Sequence, residues 1–183
     1  MRADQIALQL YTVRGHAQRD FLGTLREVAA MGYTAVELAG MHGVAAEQLR
    51  QQLDELGVRA ASAHVPLPEL EERGAAVAAE LRTLGCAYAM VPWVGAERRG
   101  SAAAVRALAA DLSRWGARMR DEGLRLAYHH HDFEFAPLDG TTFWEILTAE
   151  SDPALVELEI DVYWAARAGR DPAELIARRA PRV

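Results

Sequence analysis

The chain has 183 residues, 51% hydrophobic and 25% charged, with 26 acidic against 20 basic side chains and a net charge of −6. That length fits one domain with a substantial core, and the acidic balance argues against a general nucleic-acid binder. No run reaches the ~18 apolar residues of a membrane span and the N-terminus lacks a signal peptide's apolar stretch, so no membrane association and a cytoplasmic location are expected.

Cys86 is the only cysteine, which excludes an internal disulfide and a cysteine metal cage. Every basic residue is Arg, so a Schiff-base or pyridoxal-phosphate lysine and a Walker P-loop are excluded too.

The opening run, 6–11, reads as a strand, with Gln9, Tyr11 and Arg14 at or just past its end. Arg14 is suited to holding a carboxylate or phosphate. Met31-Gly32-Tyr33 then leads into an apolar run over 34–38 that carries Glu37, and Leu56-Gly57-Val58 into 59–65 with His64. Leu84-Gly85-Cys86 leads into 87–91, followed by Pro92 and Trp93, and Glu122-Gly123-Leu124 into 125–131. Each Gly stands where a helix C′ residue takes positive φ, and each run is short and apolar like a buried parallel strand. Glu37 and His64 either contact a polar ligand or hydrogen-bond a neighbouring loop. Trp93 and, later, Trp164 either wall a sugar ring or pack in the core.

Between the runs, Leu49, Leu53 and Leu56 share one helical face, as do Val77, Leu81 and Leu84. Val105, Leu108, Leu112, Trp115 and Met119 form a longer stripe. Thr142 and Glu145 have capping-box spacing, and Asp171-Pro172 reads as an N-cap with a first-turn proline. A run over 155–162 completes six strands whose starts lie roughly 25 to 37 residues apart, the length of one βα unit.

Alternating βα units mean a parallel sheet, doubly wound or closed into a barrel. No G-x-G-x-x-G follows the first strand, which weakens a dinucleotide-binding reading. Polar residues at the C-terminal ends of the strands instead fit the rim of a (β/α)₈ barrel. A complete barrel has eight units in ~250 residues. The prediction is therefore an α/β protein of TIM-barrel type truncated to about six βα units, a single domain over 1–183 incomplete at its C-terminus. Alternatively the barrel is open or completed by another chain, and a homo-oligomer would cover the exposed sheet edges.

The most informative segment is Tyr128-His129-His130-His131-Asp132-Phe133-Glu134-Phe135. On a strand, His129 and His131 face one side, and Tyr128 and His130 the other. One unit later Leu158, Ile160 and Val162 form one face and Glu157, Glu159 and Asp161 the other. Pointed into a barrel, unpaired carboxylates cost several kcal/mol and require partners: a cation near the strand end, with Arg125 deeper inside. The opposite register turns them outward beside helix arginines. Asp161 with His129, His131 and Glu134 makes a nitrogen-and-oxygen site for a divalent metal.

The strings YHHHDFEF, IDVYWAARAG, LQLYTVR and VELAG resemble the sugar phosphate isomerase/epimerase family, or xylose-isomerase-like barrels, which includes inosose dehydratases and ketose 3-epimerases. The resemblance runs in order along essentially the whole chain. It implies a divalent metal, often Mn²⁺ with Zn²⁺, Mg²⁺ or Co²⁺ as alternatives, at the C-terminal mouth of the barrel. The family's usual ligands are a Glu after strand five, an Asp after strand six, a His after strand seven and a Glu after strand eight. Asp161 matches the strand-six ligand. At strand five His129 stands where Glu is common and Glu134 lies just beyond, so either serves; the last two ligands have no counterpart before Val183.

The implied reaction is isomerisation or epimerisation of a sugar or sugar phosphate, or dehydration of an inosose. A metal on the carbonyl and adjacent hydroxyl stabilises an enediolate, and a carboxylate or imidazole within ~3 Å moves the proton. Glu134 and His131 are the acid/base candidates; Glu37, His64, Trp93, Trp164 and Arg14 are candidates for contact with a small carbohydrate. Two other readings compete. One is a non-catalytic barrel remnant that binds sugar or serves as an assembly subunit. The other is an apurinic-site endonuclease, which the acidic balance disfavours.

Overall fold

A computed structural model describes residues 5–183. The chain divides into two compact units, one reaching Ala89 and the other Met90–Val183. Strands and helices alternate throughout, as the spacing of the glycines predicts.

In the first unit the strands β1 (Leu8–Gln9), β2 (Ala35–Leu38) and β3 (Arg59–His64) alternate with helices α1 (Phe21–Ala30), α2 (Ala46–Leu56) and α3 (Leu67–Leu84). The strands pair in parallel and in chain order, Leu8 opposite Val36 and Val36 opposite Ala60. Between Val36 and Glu37 the register slips, so that Glu37 faces Ser62. A bulge of this kind re-aims side chains at a strand end.

Helix α1 starts at Asp20, whose carboxylate accepts from the Gly23 amide at 2.7 Å. Gly57 (φ 64°) and Gly85 (φ 72°) end α2 and α3, where the Val58 and Cys86 amides reach back to Leu53 and Leu81 at 3.0 and 2.9 Å. These closures need a left-handed residue, which glycine adopts without a Cβ penalty. Leu49, Leu53, Leu70 and Leu81 are buried, each worth about 1.5–3 kcal/mol relative to exposure. Strand β1 is shorter than the 6–11 run suggests. The chain turns into a 3₁₀ helix over Leu10–Val13, burying Leu10 and leaving Tyr11 exposed.

Strand β4 (Tyr88–Val91) lies at the division. The second unit continues through a short helix, Ala96–Arg99, then α4 (Ala102–Asp121), β5 (Arg125–His129), a 3₁₀ turn at Phe133–Phe135 and a small antiparallel hairpin of Pro137–Leu138 with Thr141–Thr142. It ends with α5 (Phe143–Glu150), β6 (Val156–Glu159), α6 (Val162–Arg167) and α7 (Pro172–Arg179). Strands β5 and β6 are parallel, with Ala127 opposite Glu157 and His129 opposite Glu159.

The caps read from the sequence are present. Thr142 accepts from the Glu145 amide at 3.1 Å, and Asp171 accepts from the Ala173 amide at 2.9 Å ahead of Pro172. Helix α4 lies so close to the residue before β6 that a Cβ on Gly116 would sit 2.2 Å from the Leu155 carbonyl oxygen. Arg182 is buried and donates to the Val156 and Thr148 carbonyls and the Ser151 hydroxyl, tying the last turn to β6 and α5.

Two strand ends differ from expectation. Strand β5 stops at His129 rather than 131, and β6 stops at Glu159 rather than 162. At β6 the cause is Asp161, whose side chain caps α6 and starts a helix where the alternation of Leu158, Ile160 and Val162 suggested more strand. Val162 and Tyr163 are accordingly exposed. Among the described residues no helix is long and apolar enough to cross a membrane.

Candidate functional site

The parallel pairing of β5 and β6 puts an imidazole and two carboxylates at neighbouring strand ends. His129 is buried, and its Nδ1 lies 3.1 Å from Glu159 Oε2 while its Nε2 lies 3.9 Å from Asp161 Oδ2. Asp161 is fixed from two sides. Its Oδ1 accepts from the Trp164 amide at 3.0 Å, and its own amide donates to His130 Nε2 at 3.2 Å. Since a backbone amide can only donate, that nitrogen of His130 must be the acceptor, so Nδ1 carries the proton that it gives to the His131 carbonyl at 3.0 Å. His130 is fully buried, edge-on to Phe135 and Trp144, and burial lowers its pKa. It is therefore a neutral strut between the ends of β5 and β6.

His131 and Glu134 lie just beyond. His131 is edge-on to His129 at 4.9 Å, nearly parallel to Phe133 at 5.8 Å and tilted against Trp164 at 5.3 Å. Burial, reinforced by His129, lowers its pKa to about 4. Its Nδ1 is buried with no hydrogen-bond partner among the described residues.

Glu134 is wholly buried, with Oε1 accepting from the Tyr128 hydroxyl at 2.9 Å and Oε2 from the His131 amide at 2.8 Å. Burial raises its pKa to about 7, opposed by those hydrogen bonds and by His129. Tyr128 is also pushed well above its ordinary value by burial and by Glu134. Both Glu134 oxygens thus face the protein and brace the turn carrying His131. Below this rim Arg125 pairs with Glu157, as expected, although Arg125 is exposed and not deep.

The first unit holds a second polar cluster. His64 Nε2 lies 3.1 Å from Glu37 Oε1 and 3.3 Å from the Gln9 amide nitrogen, and the Ser62 hydroxyl donates to Glu37 Oε2. Glu37 and Ser62 are buried and His64 nearly so. Strand parity does not place Ser62 against Glu37; the register slip does. Arg14 sits apart on an exposed turn, stacked 4.5 Å over the Tyr11 ring and donating to the Tyr11 carbonyl.

Trp93 is half exposed, with the Arg99 guanidinium 5.8 Å from its ring centroid. Glu159, Tyr128 and Arg99 are participants that the sequence did not single out as site residues. Glu159 could have been found from its sharing a face with Asp161; the other two depend on partners brought in by folding.

No family model matches the chain. Among proteins of assigned activity, it is 29% identical to inosose dehydratase of Geobacillus kaustophilus (strain HTA426) over an alignment covering 87% of this chain. The chain spans 58% of that dehydratase's length. Among solved structures it matches a sugar phosphate isomerase/epimerase from Parabacteroides distasonis with a TM-score of 0.87 and 23% identity, over 100% of this chain and 73% of the other. It also matches the IOLI protein, solved with a zinc atom bound, with a TM-score of 0.67 and 14% identity over 87% of this chain and 64% of that one. The likeness to xylose-isomerase-like TIM barrels, read from YHHHDFEF and IDVYW, is borne out in fold, and with it the α/β class of TIM-barrel type.

Proposed function

We propose that this chain carries part of the active site of a divalent-metal-dependent carbohydrate isomerase, epimerase or dehydratase. The observation that carries the reading is the His129 imidazole set between Glu159 and Asp161. Two donors each 2.0–2.2 Å from one ion lie roughly 3–4 Å apart, and His129 Nε2 and Asp161 Oδ2 meet that spacing at 3.9 Å. Glu159 Oε2 lies 3.1 Å from the other ring nitrogen, Nδ1, close enough for its charge to favour a proton there and leave Nε2 for the ion. The nitrogen-and-oxygen donor set suits Zn²⁺ or Mn²⁺. The names of the dehydratase, the isomerase/epimerase and the zinc-bound barrel support the same direction.

Held by His129 and Asp161, such an ion would supply Lewis-acid polarisation of a substrate carbonyl. The chain's own residues supply the rest. His131, which burial keeps neutral at pH 7, offers a ring nitrogen as a weak base to the proton beside that carbonyl or to a substrate hydroxyl. Glu134 holds the His131 amide in place and serves the reaction through that loop, although the sequence suggested direct ligation or acid/base work. Trp164, tilted against His131, offers an apolar face to a sugar ring. In the first unit, Glu37 and His64 offer a carboxylate and an imidazole to hydroxyl groups.

The test is Zn²⁺ and Mn²⁺ binding by calorimetry to the full chain and to Asp161→Asn. Asn retains the helix cap while removing the charge. At least a tenfold loss of affinity is expected, with unchanged helix content by circular dichroism. Equal affinity and stoichiometry in the variant would overturn the reading.

A further inference from the structure

The short helix Ala96–Arg99 presents two adjacent guanidinium groups with different fates. Arg98 is bound to Asp111. Arg99 has no carboxylate partner among the described residues: its cation lies 4.1 Å from the centroid of Phe133 and 5.8 Å from that of Trp93, and its Nε is buried without a hydrogen bond. Phe133 in turn stacks on His131, the proposed proton acceptor, which leans on Trp164. Arg99 is thus one aromatic ring removed from the reacting group.

Aromatic faces stabilise a guanidinium by about 0.5–2 kcal/mol but leave its in-plane N–H donors unused. A cation seated on aromatic rings with donors still to satisfy is matched to a planar or tetrahedral oxyanion, which guanidinium binds with two parallel hydrogen bonds. The chain's net charge of −6 makes an unneutralised cation here the more specific. Arg14, the anchor suggested by the sequence, is occupied with Tyr11.

We propose that Arg99 anchors an oxyanion, phosphate or carboxylate, carried by the carbohydrate, so that the site selects an acidic sugar over a neutral one. This rests on the carbohydrate reading above. The Phe133 and Trp93 rings beside it hold the cation ready and reduce the ordering cost on binding, and they form the walls of the subsite.

The test is calorimetric titration of the full chain, supplied with Zn²⁺, with fructose 6-phosphate, glucuronate and unsubstituted fructose, repeated for R99Q and R99K. The expected result is that one or both anionic sugars bind, that R99Q weakens them about ten- to a hundredfold, and that R99K falls between. Which anionic sugar responds decides between phosphate and carboxylate. Fructose affinity should be the same in all three proteins. Binding of fructose with no preference for the anionic sugars, or equal losses for every sugar in R99Q, would overturn this inference and leave the carbohydrate reading standing. Failure of all three to bind would overturn both.

Discussion

Replacing Glu134 with Gln isolates what one buried carboxyl does to the pH dependence of folding. Desolvation holds its pKa at about 7 against the ordinary 4.5. The folded protein therefore keeps a proton that the unfolded chain releases above pH 4.5. The stabilisation is complete below that pH, declines as the pH rises, and is gone above about 7. At about 1.4 kcal/mol per pH unit the loss comes to about 3 kcal/mol, against a typical domain stability of about 5–15 kcal/mol.

Burial lowers the pKa of His130 and His131, so their contribution runs the other way and fades as the pH falls. Subtracting the E134Q curve from the wild-type curve cancels those histidines. Urea unfolding from about pH 4.5 to about pH 8, with a chelator present, is the assay. E134Q should gain on the wild type by about 3 kcal/mol across that range. Parallel curves would refute the argument that Glu134 is held protonated by burial.

Gly116→Ala should destabilise by about 1–3 kcal/mol through the clash with Leu155, outweighing the roughly 1 kcal/mol gain in helix propensity. At this chain length that lowers the melting temperature by about 2–4 °C per kcal/mol; an unchanged or higher melting temperature would contradict the close approach of α4. Cys86, whose thiol burial pushes up to about 12, should resist a thiol-specific disulfide reagent near pH 8 and react promptly once urea unfolds the chain. Fast labelling of the native protein would show that its pocket opens.

The alternation of strand and helix was legible because each unit announces its own ending. Gly57 and Gly85 stand where helices must turn left-handed, and the leucine stripes before them mark the faces that become buried. Caps such as Thr142 and Asp171 depend only on near neighbours, so spacing revealed them. The meeting of His129 with Asp161 followed from charge placed on strands that otherwise bury apolar groups.

What escaped the sequence was set by contacts across the chain. Nothing local separates Arg99 from its neighbour Arg98, which pairs with Asp111, because the ring beneath Arg99 arrives with Phe133. Glu134 reads as a free acid until Tyr128 and the His131 amide are seen to claim both its oxygens. Val162 continued the strand-like alternation, and only the hydrogen bond from the Trp164 amide to Asp161 reveals that a helix has begun.

The double duty of Asp161 bears on which ions can settle beside it. With Oδ1 engaged by the Trp164 amide, the carboxylate has Oδ2 as its unencumbered oxygen and chelation by both is disfavoured. Calcium gathers six to eight oxygens and commonly grips carboxylates by both arms, so a one-armed acid next to an imidazole makes poor company for it. Small ions with an appetite for nitrogen lose nothing by that restriction. On the metal reading proposed above, a backbone bond that begins a helix would also weigh against the larger, oxygen-seeking calcium ion.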